Sequence, residues 1–161
     1  MNWDALGAVA EILGAGTVIA TLLYLAKQLS HAVDSSSSAA TDRILRGFDE
    51  INRMIVTDGS LRETLLSEAE LTASEKEQYF QFVVLYCNIW FSAQTEYDRG
   101  QISEDLYTGA AADVHVEIDR WPRFKEFGEL WLERYPQVST GTIFDPLRKQ
   151  TDLLGSAQVT Q

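Results

Sequence analysis

The sequence predicts an all-α protein: one N-terminal transmembrane helix followed by a five- to six-helix bundle. Three observations carry that expectation. An apolar run opens the chain, apolar residues recur at three- and four-residue steps through the rest, and no alternating strand pattern stands anywhere. At 161 residues, with 45% apolar and 11% aromatic residues and three prolines, the chain has the means to bury one core. The expected organisation is an anchor helix over 1–29, a bundle over 30–155 and a flexible tail over 156–161.

The opening run, "ALGAVAEILGAGTVIATLLYLA", covers residues 5–26 and holds one charge, Glu11. As a helix it measures about 33 Å, enough for a hydrocarbon core of about 30 Å. A cleaved signal would need a positive start, and "MNWDAL" has no Lys or Arg, although Ser30-His31-Ala32 fits a small-x-small cleavage site. A helix buried in a soluble bundle is the other alternative. No basic residue precedes the run, whereas Lys27, Arg43 and Arg46 follow it. The positive-inside rule then places the N-terminus outside and the body in the cytoplasm of a bacterial-type inner membrane. Trp3 and Tyr24 suit the two interfaces.

Gly7, Glu11, Gly14, Val18 and Thr21 share one helical stripe, and its small residues let another helix approach closely. This stripe is the expected helix–helix interface. A carboxylate facing lipid at mid-helix costs about 2.5–3.5 kcal/mol, and less toward the surface. Three readings of Glu11 stand open: it snorkels outward, it faces a partner helix, or it lines a proton or ion path.

"WDALGAVAEILGAGTVIATLLYLAKQ" resembles the opening of a group of bacterial membrane-anchored helical proteins with no established activity. Their span reads W-x-A-L-G-A-x-A-E-I-x-G and ends in Y-L-A-x-Q. "YDRGQISEDLY" is similar to their tyrosine–glycine–acid turn between two helices. The likeness covers the front 28 residues closely and the body loosely. In that group a basic residue follows the last glutamine of the span, where this chain has Leu29-Ser30-His31. The resemblance implies a membrane-anchored helical protein and no catalysis.

Beyond the run, the serines of "DSSSS" fit either a short linker or a helix continuing from the span. Ala40, Ile44, Phe48, Ile51 and Ile55 then trace an amphipathic helix that "DGS" breaks. Ser60 with Glu63 has capping-box spacing for a short helix bearing Leu61, Leu65 and Leu66. Thr72 with Glu75, or Ser74 with Glu77, caps the next helix, about 74–99. That helix is apolar on two sides, through Tyr79, Phe82, Val83, Tyr86 and Trp90 and through Phe80, Val84, Cys87 and Phe91, so it is expected at the centre. Gly100 is placed as its left-handed stop. Ser103 starts a helix with Leu106, Ala110, Val114 and Ile118. Pro122 interrupts, Phe124, Phe127, Leu130 and Trp131 follow, and Pro136 ends that segment. Asp145-Pro146 reads as the start of a last short helix.

Thirteen Lys and Arg against 24 Asp and Glu give a net charge of −11, and only Asp4 and Glu11 of the acids fall in the first 26 residues. An acidic body repels phosphate backbones, so nucleic acid is not an expected partner. The expected partners are membrane lipid and, through the front helix, a second copy or another membrane protein. The lone Cys87 has no zinc spacing around it and reads as a core thiol.

The strongest chemical constellation is "DVHVEID". On a strand, Asp113, His115, Glu117 and Asp119 would share a face and could ligate a metal. On the expected helix they splay, and only His115 and Asp119 come close. No metal or cofactor is therefore expected, and no nucleotide, hydrolase or zincin motif is present. Gln81 and Asn88 on the central helix are candidates for buried, hydrogen-bonded amides. "RWPRFKEFGELW" reads first as a helix with an apolar core face, and second as a membrane-interface patch of Arg120, Trp121, Arg123, Phe124 and Lys125. The functional expectation is a single-pass membrane-anchored interaction protein, either a homo-oligomer or an accessory subunit of a larger complex. The alternatives are an enzyme or ligand-binding bundle using His115 and its acidic neighbours, and a fully soluble bundle.

Overall fold

The computed structural model describes residues 3–138 and 140–148, the side chains of 3–10 and 12 excepted. Among these residues the protein is all helical: α1 Trp3–Thr57, α2 Gly59–Leu66, α3 Ala73–Asp98, α4 Glu104–Arg120, α5 Phe124–Arg134 and a 3-10 helix Thr142–Leu147. The chain divides into two compact units, residues 1–39 and 40–161. The proposed tail, 156–161, lies outside the described residues.

In the first unit the serine run is helical, so α1 continues through Ser35–Ser38. Serine is a mediocre but tolerated helix former, and the good formers on either side carry the helix through four of them. Among the described residues no helix is long and apolar enough to cross a membrane. The expected span over 5–26 begins among residues whose side chains lie outside that set.

In the second unit α3 is central because both of its sides are apolar. It buries Tyr79, Phe80, Phe82, Val83, Tyr86, Cys87, Trp90 and Ala93 and packs against α2, α4, α5 and the 3-10 helix. The later turns of α1 lie on it as well. Ala40, Ile44, Ile51 and Ile55 are buried, and a Cβ on Gly47 would stand only 2.9 Å from Ile89. Glycine at that position sets how closely α1 approaches α3.

Local signals fix where these helices start and stop. Thr72 and Glu75 form the capping box of α3: the Glu75 N–H donates to Thr72 Oγ1 (3.3 Å) and the Thr72 N–H donates to Glu75 Oε2 (2.8 Å). The Thr72 hydroxyl, donating to Glu75 Oε2 at 2.7 Å, and then the Thr72 N–H hold the Glu75 carboxyl below the usual carboxylate range. The cap of α2 is Asp58, whose carboxylate accepts from the Leu61 N–H at 2.9 Å; this is two residues earlier than Ser60. Aspartate after the last turn of α1 reaches the free N–H first. At the end of α3, Gly100 has φ 68°, its N–H donates to Tyr97 O, and the Gln101 N–H donates to Glu96 O, both at 2.8 Å. This pair of bonds is a Schellman stop.

The closing 3-10 helix begins at Thr142, three residues before Asp145, and contains Pro146 near its end. Ile143, Phe144 and Leu147 are buried, and burial of these side chains decides its start. The Ile143 N–H donates to Gln94 Oε1 of α3 (3.3 Å). Tyr107 of α4 lies within 2.9 Å of both that oxygen and Thr142 Oγ1.

Gly128 of α5 lies close against this closing segment. A Cβ there would stand 2.7 Å from Leu147 Cδ2, and Leu147 is fully buried. Gly128→Ala is expected to destabilise the bundle by about 1–3 kcal/mol through overpacking, measured as a lower chemical-denaturation midpoint with an unchanged slope.

Candidate functional site

The first candidate is the described part of α1 before residue 40. Leu13, Val18, Ile19, Leu22, Leu23 and Leu25 are each more than half exposed. At 100° per residue, Leu13, Val18, Ile19 and Leu23 point about 0°, 140°, 240° and 280° around the axis. Residues 13–25 are therefore apolar all round. Its polar groups are turned inward on the helix. The Thr17 hydroxyl donates to Leu13 O (2.8 Å) and the Thr21 hydroxyl to Thr17 O (2.9 Å), which removes two donors from the surface. Gln28 Nε2 donates to Tyr24 Oη at 2.9 Å.

Of the expected interface stripe, Glu11, Gly14, Val18 and Thr21 are all exposed, and nothing lies within 4 Å of a Cβ built at Gly14. The side-chain position of Gly7 lies outside the described residues.

The expected basic–aromatic patch is divided by the fold. Trp121 and Phe124 are buried. Phe124 meets the rings of Phe82, Tyr86 and Trp90, so its ring belongs to the core. Arg123 is occupied twice: its N–H donates to Tyr79 Oη (3.1 Å) and its guanidinium donates to Ala69 O (2.6 Å). Arg120 lies over the Trp121 ring at 4.6 Å and pairs with Glu117 at 3.6 Å. Lys125 is exposed. The apolar face of "RWPRFKEFGELW" is a core face, with the cations spread along its rim.

On α4 the four polar residues of "DVHVEID" splay as a helix requires. His115 and Asp119 are exposed, and no hydrogen bond or ion pair joins them among the described residues. Asp113 and Glu117 turn the other way. Asp113 Oδ2 accepts from Trp90 Nε1 at 3.1 Å. Burial is the main cause holding the Asp113 carboxyl above its usual range; the Trp90 hydrogen bond opposes it and the Glu117 charge adds to it. Glu117 is 3% exposed, accepts from Trp121 Nε1 and faces Tyr86. Burial first, then the charges of Glu117 and Asp113, drive the Tyr86 hydroxyl far above its ordinary value. This internal polar cluster escaped the sequence reading. Its signal was the four-residue step Asp113, Glu117, Trp121, which runs beside the apolar stripe of α4.

Gln81 and Asn88 are exposed, with Gln81 donating to Glu77 on its own helix at 2.8 Å. Cys87 is fully buried, and burial pushes its thiol up, away from the reactive range. Among the described residues no group of three or more His, Cys, Asp or Glu is placed to hold a metal ion. Compared with known proteins, the chain matches no family model, no curated protein and no solved structure.

Because the native fold raises the Asp113 pKa, the native state binds more protons than the unfolded chain across the carboxylate range. Stability from this group is complete at acid pH and declines as pH rises through the native value. Asp113→Asn keeps an acceptor for Trp90 and is expected to gain on the parent from pH 4 to pH 7 in paired denaturation curves. A parent that gains instead would reverse the sign. His115→Ala, an exposed change, is expected to stay within about 0.5 kcal/mol of the parent.

Proposed function

We propose that the chain is a single-pass membrane-anchored helical interaction protein whose front helix enters the bilayer and whose acidic bundle lies on the cytoplasmic side. One observation supports this above others: residues 13–25 of α1 are apolar around the full turn and exposed. A helix of that kind belongs in a protein core or in lipid, and among the described residues the buried core begins at Ala40. Burying a Leu, Ile or Val is worth about 1.5–3 kcal/mol. Six such side chains left in water forgo on the order of 10 kcal/mol, which is comparable to the whole net stability of a domain.

The reading takes residues 5–10 and 12, apolar in sequence, as the rest of the span. The back-bonded hydroxyls of Thr17 and Thr21 suit a solvent that offers no hydrogen bonds. Lys27, Arg43 and Arg46 on the C-terminal side support the orientation, with the N-terminus outside a bacterial inner membrane. In this arrangement the stripe of Gly7, Glu11, Gly14, Val18 and Thr21 meets a second copy or another subunit, and the protein serves assembly. Its partners are lipid and protein.

Fractionation tests the anchor. The full chain is expected to stay in the membrane pellet after an alkaline carbonate wash, while a chain lacking residues 1–26, which keeps the core from Ala40 to Leu147, is released. Release of both would overturn the proposal. For the stripe, Glu11→Leu is expected to change the oligomer or partner distribution in native mass spectrometry from detergent. An unchanged distribution would assign Glu11 to snorkelling and remove the stripe as an interface.

A further inference from the structure

Tyr97, next to last in α3, and Tyr107, the fourth residue of α4, stack ring on ring. Their centroids are 4.2 Å apart and their planes lie 12° from parallel. At that separation carbon atoms of the two rings are in van der Waals contact. The backbone on either side is held. The Gly100 and Gln101 N–H groups close the end of α3, and Ser103 Oγ caps α4 by accepting from the Leu106 N–H at 3.3 Å. The Tyr107 hydroxyl is itself anchored: it donates to Gln94 Oε1 and lies 2.9 Å from Thr142 Oγ1.

This contact sets the pair apart from the other tyrosines of the chain. Tyr79 and Tyr86 are buried, out of contact with anything dissolved in water. Tyr24 is exposed and bonds Gln28, and Tyr135 is exposed and meets Trp131. Neither meets a second tyrosine ring among the described residues. Tyr97 combines both properties, since it is 36% exposed and carries a tyrosine on its face.

We propose that Tyr97 and Tyr107 form an oxidative cross-linking site, where a one-electron oxidant of the peroxidase type joins the rings as dityrosine and fastens α3 to α4. Each phenol gives one electron to the oxidant and its hydroxyl proton to water. The resulting radicals carry spin on the carbons ortho to oxygen, and a C–C bond forms between one such carbon of each ring. Each ortho C–H proton then passes to its own ring oxygen, which restores both phenols. With hydrogen peroxide as terminal oxidant, one peroxide takes up the two electrons and two protons and leaves as two waters. Exposure of Tyr97 admits the oxidant, and electron exchange across the stack shares the radical with Tyr107. Groups held in contact react ahead of encounters between separate chains.

The test treats the dilute full chain in detergent with a haem peroxidase and hydrogen peroxide. Dityrosine fluorescence is expected in material that still migrates as a monomer on denaturing electrophoresis. Peptide mass spectrometry is expected to join Tyr97 to Tyr107 with the loss of two hydrogens. Tyr97→Phe and Tyr107→Phe should each remove this product and leave helical circular dichroism unchanged, whereas Tyr24→Phe and Tyr135→Phe should retain it. In urea the two rings remain ten residues apart along the chain but no longer stack. There the yield is expected to fall, measured against N-acetyltyrosine oxidised in the same mixture. Absence of intramolecular dityrosine, a product joining other tyrosines, or an equal relative yield in urea would overturn the proposal.

Discussion

The bundle depends on how Phe124 is enclosed. Its ring meets Phe82, Tyr86 and Trp90 of α3 edge-on or tilted, at centroid distances of 5.6–6.3 Å, and it has no exposed surface. It enters from the first residue of α5, immediately after the turn that Pro122 forces. The turn is held down by Arg123, which ties Tyr79 of α3 to the carbonyls before α3. Aromatic rings add edge-to-face attraction to the area they bury. The α3–α4–α5 arrangement is therefore fixed by a few large side chains and one arginine. The other helices are placed against this assembly.

The chain holds two apolar populations. From Ala40 onward, apolar residues at helical spacing find partners and become core. From Leu13 to Leu25 the same residue types stand exposed on all sides of α1. Amphipathicity accounts for the contrast. Ile44, Ile51 and Ile55 occupy one stripe with Arg43, Arg46 and Arg53 facing water, whereas Leu13 to Leu25 have no charged side to offer. A one-sided helix buries its apolar stripe on a single neighbour. An all-round helix needs a surrounding medium of low polarity, and this requirement underlies the proposed anchor.

The polar interior of α4 adds a second constraint. Glu117, nearly inaccessible to water, accepts from Trp121 and pairs with Arg120, and Asp113 accepts from Trp90. A buried carboxylate is tolerated only where donors reach it. These contacts fix the rotation of α4 about its own axis. That rotation turns Asp113 toward Trp90 and leaves His115 on the water side.

Much of the fold was legible in the sequence because its signals are local. The Thr72–Glu75 box, Gly100, Ser103 and Pro122 each act through bonds or sterics within a few residues, and each marks a boundary in the structure. The two-sided apolar pattern of α3 placed it at the centre. Where reading and structure differ, a competing neighbour decided: Asp58 reached the α2 terminus before Ser60, and burial of Ile143 and Phe144 started the closing helix before Asp145. The site was less legible. Periodicity places Asp113 beside the apolar stripe but not against Trp90, which lies 23 residues away. The sequence by itself determined the helical class, the ends of α3 and α4 and the acidic excess, since propensity, capping and charge are properties of short stretches. Only the tertiary structure decided that Trp121 and Phe124 face inward, that Glu117 is buried and that Asp113 meets Trp90, because each depends on which distant side chain occupies the adjoining space.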